Sequence, residues 1–157
     1  MTALKLFGAS LLLLSGIVFL RSYTKYEREK IKTAGSLLAL LRRATEAKSL
    51  LTPIAEIVKS TEDELLLSRG FVTEYKESLS LDAAYLKVAG RYSSRVFSLL
   101  REEFSHLCSA PQCRKDYSEI EKISAALELE KQESEKNIKV RGTLTIAAVL
   151  GLIILFL

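Results

Sequence analysis

Tryptophan is absent from this 157-residue chain, histidine occurs once, and proline and cysteine occur twice each. So little proline, beside 48% hydrophobic and 27% charged residues, leaves few forced breaks and suits helices far better than a sheet. Motifs that would carry chemistry are missing as well. There is no phosphate-binding glycine loop with its lysine, no His-Glu-x-x-His and no Gly-x-Ser-x-Gly. With those classes set aside, the residues assemble no catalytic constellation, and the expectation is a protein that is not an enzyme and needs no cofactor. The one spacing that resembles a metal site is His106-x-Cys108 followed by Cys113. Structural zinc wants four ligands at tighter spacing, so inert loop thiols are expected here and no metal. Glu128, Glu130, Glu133 and Glu135 lie among Lys131 and Lys136, which reads as pairing on a helix surface rather than acid–base work.

Charge is missing from two stretches, residues 6–20 and 143–157, and these organise the rest. Each has fifteen uncharged residues, fewer than the roughly 20 that cross a bilayer as a helix. Ala3, Leu4 and the stem of Lys5 lengthen the first, and Val140, Gly142 and the stem of Arg141 lengthen the second. Both are therefore expected to span a membrane, as helices over residues 3–20 and 143–157. Lys5 and the apolar run after it also fit a signal peptide, but Leu20-Arg21-Ser22-Tyr23-Thr24-Lys25 offers no small-x-small cleavage site, so an uncleaved anchor is expected. No Asp, Glu or His lies in either run, and nothing there marks an ion or proton path.

The formal net charge of +4 could suggest nucleic acid, but the placement of the cations argues for a membrane surface instead. Arg21, Lys25, Arg28, Lys30 and Lys32 follow the first run, and Lys131, Lys136, Lys139 and Arg141 precede the second. Positive charge stays in the cytoplasm, so in a bacterial-type membrane both termini lie outside and residues 21–142 form a cytoplasmic helical domain. Cys108 and Cys113 are then reduced thiols. Small residues suggest where membrane helices pack: Gly8 and Ser15 two turns apart in the first span, and Thr143, Ala147 and Gly151 every four residues in the second.

Between the spans the pattern is helical. Ile31, Ala34, Leu38, Leu41 and Thr45 share one side of a long first helix. Thr52 is expected to cap the next, with Pro53 at its first position and Leu50, Ile54, Ile57 and Val58 as its apolar face. Thr61 and Glu64 form a capping box for a short helix through Leu67 that Gly70 closes. Residues 71–80 read as a connection with at most one helical turn. Ser80 then caps a helix whose stripe runs Leu81, Tyr85, Val88, Tyr92, Val96, Leu99, Glu103 and Leu107. Ser109-Ala110-Pro111 breaks the chain, Asp116 caps the last helix, and Ile120, Ile123 and Leu127 open its apolar face. Residues 128–139 continue it as a solvated stretch. The fold class expected is all-α, a membrane-anchored helical bundle between two transmembrane helices.

Leu4-Lys5-Leu6-Phe7-Gly8-Ala9 running to Leu14-Ser15-Gly16, a basic helix containing residues 37–41, Thr52-Pro53-Ile54, a helical body and a charged helix entering a last span with glycine make an end-to-end pattern. It resembles the stage III sporulation protein AB family. The family's turn with Gly and Asp followed by Gln, before its last helix, is replaced here by Leu107-Cys108-Ser109-Ala110-Pro111-Gln112-Cys113. The resemblance implies an endospore-forming bacterium and a bundle like the cytoplasmic domain of type II secretion platform proteins. The expected place is the mother-cell membrane around the forespore. The expected partners are a stage III sporulation protein AA-type ATPase and other subunits of the sporulation channel, with no nucleic acid. A self-assembling holin-like membrane protein, a homo-oligomer, is the alternative.

Overall fold

The computed structural model describes residues 2–49, 52–109 and 117–156, the side chains at 2–6, 48–49, 108–109 and 155–156 excepted. Every regular element among them is an α-helix: α1 (Thr2–Ser49), α2 (Ile54–Lys59), α3 (Glu64–Ser68), α4 (Phe71–Ser78), α5 (Leu81–Ala89), α6 (Arg95–Ser109) and α7 (Tyr117–Phe156). The chain divides into two units, one of Lys30–Glu130 and one of Met1–Glu29 with Lys131–Leu157. Residues 21–29 and 131–142 belong to the second of these units.

The Lys30–Glu130 unit holds the core. From α1 it takes Ala34, Leu37, Leu38, Leu41 and Ala44, spaced at three and four residues on one face, and from α7 Ile120 and Ile123. The α6 helix adds Val96, Phe97, Leu100, Phe104 and Leu107 at the same spacing. Aromatic rings join the short helices to this layer. Phe104 lies 6.5 Å from Phe71 and 5.7 Å from Tyr85, tilted against both, the offset geometry that aromatic pairs prefer.

Local chemistry sets where the short helices start and stop. The end of α1 is closed by the Thr52 amide donating to the Ala47 carbonyl at 2.9 Å. Pro53, with φ −61° and ψ 133°, stands at the cap of α2, so Thr52 lies one position further out than expected and caps nothing. Thr61 does not cap α3 either. It is buried and its hydroxyl donates back to the Ile57 carbonyl at 3.0 Å, while Asp63 Oδ1 accepts from the Leu65 and Leu66 amides, each at 3.0 Å. A carboxylate two residues closer to the apolar run is the stronger acceptor for a helix N-terminus. Gly70, at φ +77°, turns the chain between α3 and α4 in the left-handed region that glycine enters freely.

Two further expectations fail. Residues 71–78 are a helix of over two turns, α4, because Phe71 and Val72 are buried and packing overrides a weak local pattern. The long stripe from Leu81 to Leu107 is two helices, not one. Ser80 caps α5 as expected, its hydroxyl accepting from the Ala83 amide at 3.3 Å, but the helix stops at Gly90. A Cβ there would sit 2.5 Å from the Leu86 carbonyl oxygen, so only glycine fits the turn. Tyr92 plugs the connection, its hydroxyl accepting from Arg69 at 2.8 Å and Arg91 at 2.7 Å. The cap expected at Asp116 and the break at residues 110–111 lie outside the described residues.

Polar ties fix α1 and α7 inside this unit. The Lys30 ammonium sits 3.0 Å from Glu130 Oε1, a charge contact without hydrogen-bond alignment, and Ser94 donates to Glu130 Oε2 at 2.8 Å. Further along, Arg42 donates to the Ser124 hydroxyl at 3.0 Å. One carboxylate thus binds both long helices to the α5–α6 connection.

Candidate functional site

In the second unit α1 and α7 run antiparallel. Gly16 faces Val149, the Arg141 guanidinium lies 4.5 Å over the Tyr23 ring, and Ser134 donates to Glu27 Oε2 at 3.0 Å with both residues buried. That pairing turns Glu27 and Ser134 inward and leaves the opposite side of each helix as an outer face.

The outer face changes character along its length. On α1 it reads Phe7, Leu11, Leu14 and Val18, exposed by 66, 52, 58 and 62%, and then Arg21, Lys25 and Arg28, also exposed. Spacings of four and three residues make this one stripe on one side of the helix. On α7 the stripe runs the other way, from Lys136, Lys139 and Thr143 to Ile146, Leu150 and Ile154, again all exposed. Each helix carries an 18-residue window of mean hydropathy 1.4 or 1.5, long and apolar enough to cross a membrane, and no residue of either window is buried. Where apolar gives way to basic, the Phe19 and Tyr23 rings stack at 6.5 Å and Tyr26 is exposed.

The inner faces meet at a small-residue contact. A Cβ on Gly16 would lie 2.9 Å from Val149 Cγ2 and 3.6 Å from Thr145 Cγ2, so the missing side chain is what lets these segments approach. Ser15 lines the same groove, beside Gly16 and opposite Thr145 and Ala148. The other small residues singled out from the sequence are elsewhere. A Cβ on Gly8 or Gly151 would meet nothing within 4 Å, Ala147 is exposed, and exposed Thr143 donates to the Lys139 carbonyl at 3.1 Å. Gly8, Thr143, Ala147 and Gly151 are thus open to something outside the chain, whereas Gly16, Thr145 and Val149 carry the contact within it. Gly16 was not among the packing residues expected from the sequence, because its register against α7 is not a local property.

An open concavity between α5 and α6 is lined by Asp82, Ser98, Arg101, Glu102 and Ser105. Arg101 grips Asp82 with Nε–Oδ1 at 3.1 Å and Nη2–Oδ2 at 3.4 Å, and this hydrogen bonding with the charge of Asp82 pushes the guanidinium above its ordinary range. Behind it the Tyr85 hydroxyl donates to the Phe97 carbonyl, and burial raises its pKa well above the ordinary phenol value. His106 is exposed on α6; Cys113 and the side chain of Cys108 lie outside the described residues. No three His, Cys, Asp or Glu gather as metal ligands among the described residues. No family model, curated protein or solved structure matches the chain.

Proposed function

We propose that this protein is a non-enzymatic scaffold anchored in a membrane by both long helices, with its Lys30–Glu130 unit in the cytoplasm. The observation that carries the anchoring is the outer stripe, where large apolar side chains stay exposed along two paired helices until Arg21 and Lys139. In water each such side chain, a little over half exposed, forgoes about 1–2 kcal/mol of burial. In hydrocarbon it forgoes nothing. The stacked Phe19 and Tyr23 and the exposed Tyr26 suit the level where acyl chains meet headgroups, and the cations beyond them suit the cytoplasmic side.

Resemblance to the stage III sporulation protein AB family supports the finer reading. In it the scaffold sits in the mother-cell membrane around the forespore and couples a stage III sporulation protein AA-type ATPase to other channel subunits. The helical body offers a docking surface, and Gly8, Thr143, Ala147 and Gly151 offer small-residue faces to neighbouring membrane helices. Photocrosslinking probes at the exposed Arg43, Lys76 and Arg95 in sporulating cells test the docking. Capture of a secretion-type ATPase is the expected result; capture of this chain alone, with the ATPase present, favours the self-assembling holin-like alternative. Gly151→Leu is expected to weaken recovery of the assembly at unchanged expression.

A further inference from the structure

The cations of the two units differ in their acidic surroundings. In the Lys30–Glu130 unit, Lys30, Lys87, Arg101 and Lys122 each face a carboxylate, on Glu130, Glu74, Asp82 and Glu119, while Lys32, Arg43, Lys59, Lys76 and Arg95 are exposed without an ion pair among the described residues but scattered among acidic neighbours in the chain. In the paired segments of the other unit, Arg21, Arg28, Lys136 and Lys139 are exposed and make no ion pair among the described residues. Lys25 has only a 3.9 Å approach to Glu29 and keeps 79% of its side chain exposed. Residues 2–26 and 136–156 contain no Asp or Glu at all, and Glu27 is turned inward to Ser134.

Antiparallel pairing brings these cations to one level. Tyr23 opposes Arg141 and Glu27 opposes Ser134, so Arg21, Lys25 and Arg28 lie at the same height as Lys136 and Lys139, on the outer faces of the two helices. The apolar band begins immediately on one side of them, at Val18 and Ile146. Unpaired guanidinium and ammonium groups at that height match the phosphates of a lipid surface, and Arg adds a fork that takes two phosphate oxygens at once. A duplex nucleic acid would leave the adjoining apolar band uncovered. We propose that Arg21, Lys25, Arg28, Lys136 and Lys139 form a collar that binds the headgroups of anionic phospholipids. This rests on the anchoring reading above and adds a lipid preference to it.

The test uses the full chain in detergent, offered phosphatidylglycerol and phosphatidylcholine of the same acyl chains in equal amounts, with retained lipid read by native mass spectrometry. The expected result is a preference for phosphatidylglycerol of roughly tenfold or more, since each exposed cation near a membrane surface adds severalfold. It falls towards parity in the Arg21→Gln, Arg28→Gln, Lys136→Gln, Lys139→Gln variant and persists in Lys87→Gln, Lys122→Gln. Equal retention by the unaltered chain, or a preference that survives the fourfold change, overturns the collar. So does displacement of the lipid by millimolar inorganic phosphate, which marks a small-anion site. If the fourfold variant loses helicity, the unaltered chain still decides: its preference must shrink as salt is raised, and a salt-independent preference overturns the proposal. Extraction of the chain from vesicles by alkaline carbonate overturns the anchoring and the collar together; resistance to carbonate without lipid preference overturns the collar alone.

Discussion

Leu100 in α6 is fully buried, and Leu14 in α1 leaves 58% of itself exposed, although both are leucines within a regular helix. The Lys30–Glu130 unit behaves like a protein in water: it hides leucine and phenylalanine, and mixes cations with carboxylates, some of them paired. The paired segments do the reverse, turning leucine, isoleucine and valine out while Glu27 and Ser134 meet inside. One chain therefore follows two solvation rules, and each rule predicts a different response to the same kind of substitution.

The largest effect is expected at the core. Leu100→Ala removes a side chain with no exposure and leaves a cavity in the core, at a cost of roughly 3–5 kcal/mol in unfolding free energy. Chemical denaturation followed by hydrogen exchange in residues 30–130 reads it. A smaller loss would mean that the short helices collapse into the space.

Glu130→Ala comes next, at about 3 kcal/mol by the same measurement, because it removes the carboxylate that faces the Lys30 ammonium and accepts from the Ser94 hydroxyl in a largely buried place. Replacing both Lys30 and Glu130 by Met is expected to recover most of that loss. If the double change is no better than the single one, the pair itself is holding α1 and α7 in register.

How much of this was legible beforehand depended on how local the cause was. The all-helical class and the Ser80 cap could be read because they follow from periodicity and from one hydroxyl three residues before its amide. The break at Gly90 was missed because the apolar stripe continues across it, and the close Leu86 carbonyl that demands glycine exists only after the chain has turned. Phe71 and Val72 gave a weak helical pattern that the core completes. Within the candidate site, the apolar runs and flanking cations were plain in the sequence. The contact of Gly16 with Val149, and the meeting of Lys30 with Glu130, depend on the register of residues far apart in the chain, which no window of sequence contains.

Gly16→Leu tests the contact between the apolar segments. Its side chain must displace Val149, a β-branched residue with little rotamer freedom in a helix, at a cost of about 1–3 kcal/mol. Oxidative cross-linking of Ser15→Cys with Thr145→Cys, in a background lacking Cys108 and Cys113, is expected to fall sharply with Gly16→Leu and to be unchanged with Gly8→Leu. Equal effects from the two would show that the pairing does not depend on close approach at Gly16.

Tyr85→Phe is worth about 1 kcal/mol near neutral pH through its hydrogen bond to the Phe97 carbonyl, and it alters the alkaline limb of stability. Burial raises the Tyr85 pKa above the ordinary 10.0, so the folded chain keeps a proton that the unfolded chain loses. This contribution is complete below pH 10.0 and declines as pH rises above it. Denaturation at pH 8 and pH 11 should therefore show a smaller alkaline loss in Tyr85→Phe than in the unaltered protein.

Leu14→Ala is expected to change least, by less than about 0.5 kcal/mol when the chain is held in bilayer or detergent. The same truncation that opens a cavity at Leu100 opens none at Leu14, because lipid tails close over the missing methyls and an apolar side chain gains nothing by leaving hydrocarbon. Unfolding of the two variants side by side isolates the solvent, since the chemical change is identical. If Leu14→Ala costs as much as Leu100→Ala, the outer stripe is covered by protein rather than lipid, and a partner helix must be sought on the face that carries Phe7, Leu11 and Val18.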